Sequence, residues 1–156
     1  PTAEIHGPCI IEEGSEIRHC AFIRGSALIG KGCVVGNSTE LKNCILFDKT
    51  QVPHYNYVGD SILGKGSHLG ASSVISNLKS DGKDVCVNIG GERISTHRRK
   101  FGAILGDGVD IGCGTVLNPG SIIGKGSRVY PHSTIRGTVP SGCIYKTDGE
   151  IVKIEK

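Results

Sequence analysis

Leu105-Gly-Asp-Gly-Val-Asp-Ile111-Gly-Cys-Gly-Thr-Val-Leu117-Asn-Pro-Gly-Ser-Ile-Ile123-Gly-Lys-Gly-Ser-Arg-Val129-Tyr-Pro-His-Ser-Thr-Ile135 repeats every six residues. An aliphatic recurs at each sixth place, often followed by glycine. A small or β-branched residue sits four places on, as at Val109, Thr115, Ser121, Ser127, Ser133 and Val139. The same phase runs unbroken through Ile5, Ile11, Ile17, Ile23, Ile29, Val35 and Leu41, and again through Leu63, Leu69 and Ile75. Neither the helical period of about 3.6 nor the strand period of 2 produces it. One short flat strand and one tight turn do. Three such units close a triangular coil of about 18 residues, and stacked coils pair as parallel strands about 4.8 Å apart. The reading is all-β: a parallel β-helix, or hexapeptide-repeat solenoid, over residues 1–143.

Composition agrees. Glycine makes up 24 of 156 residues, about twice the usual share of roughly 7%. There is no tryptophan or methionine to anchor a compact core. Charge is balanced, 18 basic against 15 acidic, which gives no case for a nucleic-acid partner. No apolar run approaches the roughly 18 residues of a membrane helix, and no signal peptide heads the chain. Seven cysteines without a Cys-x-x-Cys read as free thiols in a reducing, cytoplasmic setting. Pro1 opens mid-pattern without methionine, so a piece of a longer chain is expected.

The hexad breaks twice. Leu41 to Tyr57 is two residues short of three hexads, across Asp48-Lys-Thr-Gln-Val-Pro-His-Tyr-Asn-Tyr57. Residues from about 77 to 102 leave the pattern. There Val85, Val87 and Ile89 alternate before Gly90-Gly91 and Arg93-Ile94, which predicts a hairpin protruding from the solenoid. Residues 144–156 alternate around Asp148-Gly149, which predicts a capping hairpin. Function is expected at the breaks, because the repeat itself is packing.

Arg24 and Lys42 follow inward aliphatics where glycine is usual, one 18-residue coil apart. Stacked about 5 Å apart they repel unless an anion lies between them, so they read either as a phosphate site or as two solvated cations. His54 is either a surface histidine or a general base, for which imidazole is suited near neutral pH. Arg98-Arg99-Lys100 reads as a basic turn or as a site for cofactor phosphates. No two histidines lie at a close zinc-ligand spacing, so a three-histidine zinc site is not expected.

Glu40-Leu-Lys-Asn43, then Val52-Pro-His-Tyr-Asn-Tyr-Val-Gly-Asp-Ser61, then Leu69-Gly-Ala through Asn77, resemble a known family. It is the acetyltransferase domain of the bifunctional UDP-N-acetylglucosamine pyrophosphorylase/glucosamine-1-phosphate N-acetyltransferases. The archaeal branch is nearer, through the stretch Thr96 to Asp107. The resemblance implies a left-handed β-helix, transfer of acetyl from acetyl-CoA to an amino-sugar 1-phosphate, and a homotrimer with sites between subunits. It places His54 as the base. Arg24, Lys42, Tyr57, His68, Asn77 and Lys83 fall on substrate positions. Ala71, Cys113, Arg98 and Arg99 are expected at the cofactor, with an oxyanion met by a backbone N–H near Gly70-Ala71. His68 replaces an asparagine of better-known members, and Ser72 replaces a glycine. A non-catalytic oligomerising module of a sugar nucleotidyltransferase is the alternative, and galactosamine 1-phosphate the alternative acceptor.

Overall fold

The computed structural model describes residues 2–155. They contain no helix and wind as a three-walled parallel solenoid. The first wall stacks seven strands from Glu4–Ile5 to Thr134–Ile135, and the second seven from Cys9–Ile11 to Thr138–Val139. The third wall runs from Glu16–Ile17 to Cys143–Tyr145, where Ile151–Lys153 adds antiparallel as the expected cap.

The inward column holds the predicted aliphatics, with Ile23, Val35, Leu41, Leu69, Ile75 and Ile111 fully buried. Each such side chain contributes roughly 1.5–3 kcal/mol by leaving water. The small position four residues on has a second role. Its hydroxyls donate to backbone carbonyls of the next coil: Thr39 to Val52 at 3.0 Å, Thr50 to Gly64 at 3.0 Å and Ser73 to Gly112 at 2.9 Å.

The first break differs from the expectation. Residues 48–57 form a regular corner and the third-wall strand Gln51–His54. Leu46, Val52 and Val58, all buried, continue the inward column, and Val58, not Tyr57, pairs with Leu41. What shortens the coil is the corner between first and second walls. Leu41 to Leu46 and Val58 to Leu63 are five-residue units. A lone left-handed residue closes each, Asn43 at φ 48° and Asp60 at φ 50°. Their short polar side chains tolerate that conformation better than most. The longer corner before Ala27 uses two such residues, Gly25 and Ser26.

The insertion leaves from that same corner, between Ile75 on the first wall and Ala103 on the second. Its hairpin pairs Cys86–Ile89 with Glu92–Ser95 across Gly90-Gly91, both at positive φ. It folds back along the edge over the coils that follow. Val85 is buried, the Thr138 hydroxyl bonds the Asn88 carbonyl, and Gly120 lies so close under the Cys86 carbonyl that a Cβ would strike it.

Close coil stacking sets the glycine after the aliphatic. A Cβ on Gly106 would stand 2.6 Å from the Lys125 backbone nitrogen. Gly106→Ala is therefore expected to cost about 1–3 kcal/mol by overpacking. Urea denaturation measures it, and an unchanged midpoint would mean the coils have slack.

Candidate active site

Two edges flank the first wall, and the predicted residues divide between them. On the edge shared with the third wall, backbone bonds link successive corners. Ser72 N–H donates to His54 O at 3.0 Å, Gly114 N–H to Ala71 O at 2.8 Å and His132 N–H to Cys113 O at 2.8 Å. His54, Ala71 and Cys113 thus occupy consecutive rungs, each about 4.8 Å apart. The residue after each is left-handed: Tyr55, Ser72 and Gly114 at φ 51°, 59° and 67°. Ser72 takes the turn that glycine would favour.

Asn56 ties these corners together. Its side chain is buried, accepts from His54 N–H at 3.1 Å, and donates to Gly70 O at 2.9 Å and Ser73 O at 3.1 Å. One carboxamide therefore joins the turn carrying His54 to the turn carrying Ala71. The His54 ring is exposed and, among the described residues, makes no side-chain hydrogen bond. The Ala71 N–H has no protein acceptor among the described residues, while Gly70, Ser72 and Ser73 around it all donate.

The edge shared with the second wall carries Arg24, Lys42 and Asn77, with Tyr57 on the first wall beside them. Arg24 pairs with Glu40 at 2.7 Å, and Lys42 with Asp60 at 3.2 Å. Each cation thus has its own carboxylate, so the repulsion expected between them does not by itself require a bound anion. Asp60 is the centre of this edge, its side chain only 8% exposed. It also accepts from Asn43 Nδ2 at 2.6 Å and from Asn77 Nδ2, which reaches the Tyr57 hydroxyl at 3.2 Å. Burial pushes its pKa up, but the bonds from Asn43, Asn77 and Lys42 outweigh it and hold the carboxyl below its usual range.

The remaining predicted residues lie elsewhere on this chain. His68 faces out from the third wall with Nδ1 2.9 Å from Asp110 Oδ1. Lys83 is in the insertion, its N–H bonded to Asp81 at 3.0 Å. Arg98 and Arg99 line a cavity of about 530 Å³ with Asn43 and Asp60, on the second edge rather than beside Ala71. Sequence reasoning assigned no role to Asp60, Asn43, Glu40 or Asn56. Asn56 left one signal: a carboxamide four residues after Val52, where the repeat has a small residue.

A family profile described as the GMPPB C-terminal domain matches residues 5–96. The chain belongs to that family. It is 35% identical, over 92% of its length, to the bifunctional sugar-1-phosphate nucleotidylyltransferase/acetyltransferase of Sulfurisphaera tokodaii. It is 38% identical, over 97% of its length, to the bifunctional protein GlmU of Methanococcus maripaludis. It covers 40% and 41% of those two proteins, so the chain spans about two-fifths of each relative's length. The expected resemblance to the archaeal bifunctional enzymes is borne out. Among solved structures, PerB from Caulobacter crescentus, in complex with CoA and GDP-perosamine, superposes with a TM-score of 0.70 at 18% identity, over 88% of this chain and 56% of PerB. That likeness bears on the fold.

Asp60→Asn removes the charge that holds Lys42. A loss of roughly 1.5–3 kcal/mol at pH 7 is expected, the range for a hydrogen bond to a charged group. A depressed carboxyl stabilises above its unfolded pKa of about 3.9 and loses that contribution as pH falls through its folded value. Denaturation below pH 4 should therefore bring parent and variant together; an equal gap at pH 7 and pH 3 would sink the assignment.

Proposed function

We propose that the domain transfers acetyl from acetyl-CoA to the amine of an amino-sugar 1-phosphate, glucosamine 1-phosphate, with His54 as general base. The observation that carries the reading is the column His54, Ala71, Cys113, with the Ala71 N–H open and the Arg24, Lys42, Tyr57 and Asn77 cluster across the first wall. The chemistry follows from that order. The sugar ammonium gives a proton to the His54 ring, and the freed amine attacks the thioester carbonyl. The Ala71 N–H meets the oxyanion. Collapse of the tetrahedral adduct breaks the C–S bond and releases CoA thiol. The sugar phosphate lies toward Arg24 and Lys42, and Tyr57 and Asn77 orient the ring. The names of the archaeal relatives and the CoA held by PerB support the reading.

The second wall supports assembly into a homotrimer. Its outward column is aliphatic at Ile10, Leu28, Ile45, Ile62, Ile104 and Ile122, with Ile10 56% and Leu28 45% exposed. The third wall shows Glu16, Val34, Gln51, His68, Asp110, Arg128 and Ile144 at the matching places, five of the seven polar. A contiguous apolar wall on a solenoid is a surface for another protein face.

The pairing of Arg24 with Glu40 and Lys42 with Asp60 favours a second reading, an oligomerising module with no chemistry of its own. One assay separates them: thiol release from acetyl-CoA with glucosamine 1-phosphate, galactosamine 1-phosphate or free glucosamine, against a no-acceptor blank. Turnover that requires the 1-phosphate is expected. His54→Ala should lower kcat by at least about 100-fold, the scale of a lost general base, with the assembly intact. Arg24→Ala should raise KM for the sugar phosphate far more than for acetyl-CoA. Folded assembly without turnover on any acceptor selects the module.

A further inference from the structure

The corner between the third and first walls carries one buried side chain per coil, just before each first-wall strand. Ala21, Thr39, Ser73, Thr115 and Ser133 hold that place in neighbouring coils, and all are small. In the coil that carries His54 the place belongs to Asn56, which is 2% exposed. The hydroxyls of the column each donate to one carbonyl, as Thr115 does to Tyr130 O at 3.3 Å. A serine or threonine would therefore serve the packing here. A buried carboxamide must instead find a partner for every polar atom or lose stability. Asn56 does so by bonding two different turns, which no hydroxyl of the column does for the turns of the site.

Those two turns bear His54 and Ala71. Gly70 O and Ala71 N–H belong to one planar peptide, so a grip on the carbonyl fixes the direction of the N–H. Asn56 Nδ2 supplies that grip at 2.9 Å, and a second bond to Ser73 O at 3.1 Å braces it from the far side of the turn. The N–H so aimed has no protein acceptor among the described residues. Its counterpart one rung below, His54 N–H, is closed by Asn56 Oδ1 at 3.1 Å. At Ala71 the equivalent side chain is Ser73, whose hydroxyl turns to Gly112 O and leaves the N–H open. The carboxamide is itself planar, so its two ends move together. Gly70 has no slack toward the coil above, where a Cβ would stand 2.6 Å from Cys113 N. The distance between the residue bearing the imidazole and the open N–H is thus set by one side chain.

We propose that Asn56 is a positioning residue for acetyl transfer. It holds the His54 backbone and the Gly70–Ala71 peptide in one frame, so that base and oxyanion donor face the same acyl carbon. The role rests on the acetyltransfer reading, and Asn56 itself touches neither substrate. Such a frame acts in the transition state, where charge develops on the thioester oxygen, and hardly at all in the ground state. N56S restores the ordinary residue of the column, with a hydroxyl able to reach one carbonyl. Its kcat is expected to fall about tenfold or more, since a misplacement of an ångström can cost about 100-fold. KM for both substrates and the calorimetric Kd for CoA should change by less than about threefold. T115A removes a hydroxyl from the same column two coils on. It should lower the melting temperature and leave kcat at the parent value, which separates lost stability from lost alignment. If N56S unfolds at the assay temperature, N56T carries the test, with the residue found at Thr39 and Thr115. An active parent whose kcat survives N56S overturns the role of Asn56 and leaves the acetyltransfer reading standing. So does an equal fall of kcat in N56S and T115A. A folded parent with no turnover on any acceptor overturns the reading and this role with it.

Discussion

The interior of the solenoid admits one aliphatic side chain per wall in each coil, stacked on the one below at strand spacing. That limit governs what the rest of the chain can do. Walls cannot lengthen without leaving an inward position empty, and coils cannot separate without breaking the parallel ladders. Turn glycines such as Gly106 are held to zero side-chain volume by the coil above. Variation is left to the corners and the outward columns. All four departures of the hexad after Ile29 fall at one corner, between the first and second walls. Two are five-residue units, one is the insertion after Ile75, and the last is the four-residue step from Ile135 to Val139. The corner between third and first walls keeps its length throughout, and His54, Ala71 and Cys113 are aligned there.

The aliphatic at every sixth place made the solenoid legible, because burial and period coincide. The phase between Leu41 and Leu63 is not legible from the hexad alone. A five-residue unit moves every later side chain by one place, and a search for sixes then steps over Leu46, Val52 and Val58. The hairpin announced itself through alternation and Gly90-Gly91. Its resting place did not, because that depends on contacts with Gly120 and Thr138, far along the chain. Lys42 stands out by its repeat position and His54 by the break in the hexad, and the motif that carries the resemblance gives them and Tyr57 their roles. Asp60 was in the same motif but had no role until the short corner was known. With a coil of 17, Gly59 pairs with Lys42, and Asp60 turns the corner to meet the Lys42 ammonium and both asparagines. The 17-residue register makes the spacing of 18 from Lys42 to Asp60 a diagonal contact.

The two ion pairs on that edge differ in how firmly each partner is held. Arg24 and Glu40 are 45% and 33% exposed, and each carboxylate or guanidinium released from such a pair is met by water. Lys42 and Asp60 are 24% and 8% exposed, and Asp60 is also held by Asn43 and Asn77. Releasing Asp60 would strand a carboxylate in a place where its charge has been matched by three donors. An anion arriving at this edge therefore competes with Glu40 for Arg24 on easy terms and with Asp60 for Lys42 on poor ones. Arg24 is the group that can exchange its partner. Lys42, Asp60, Asn43 and Asn77 form a closed, neutral frame that fixes the Tyr57 hydroxyl on the first wall. That division separates the parts of two cations one coil apart: Arg24 can turn from Glu40 to a ligand, while Lys42, still paired with Asp60, holds the corner and adds its charge beside that ligand.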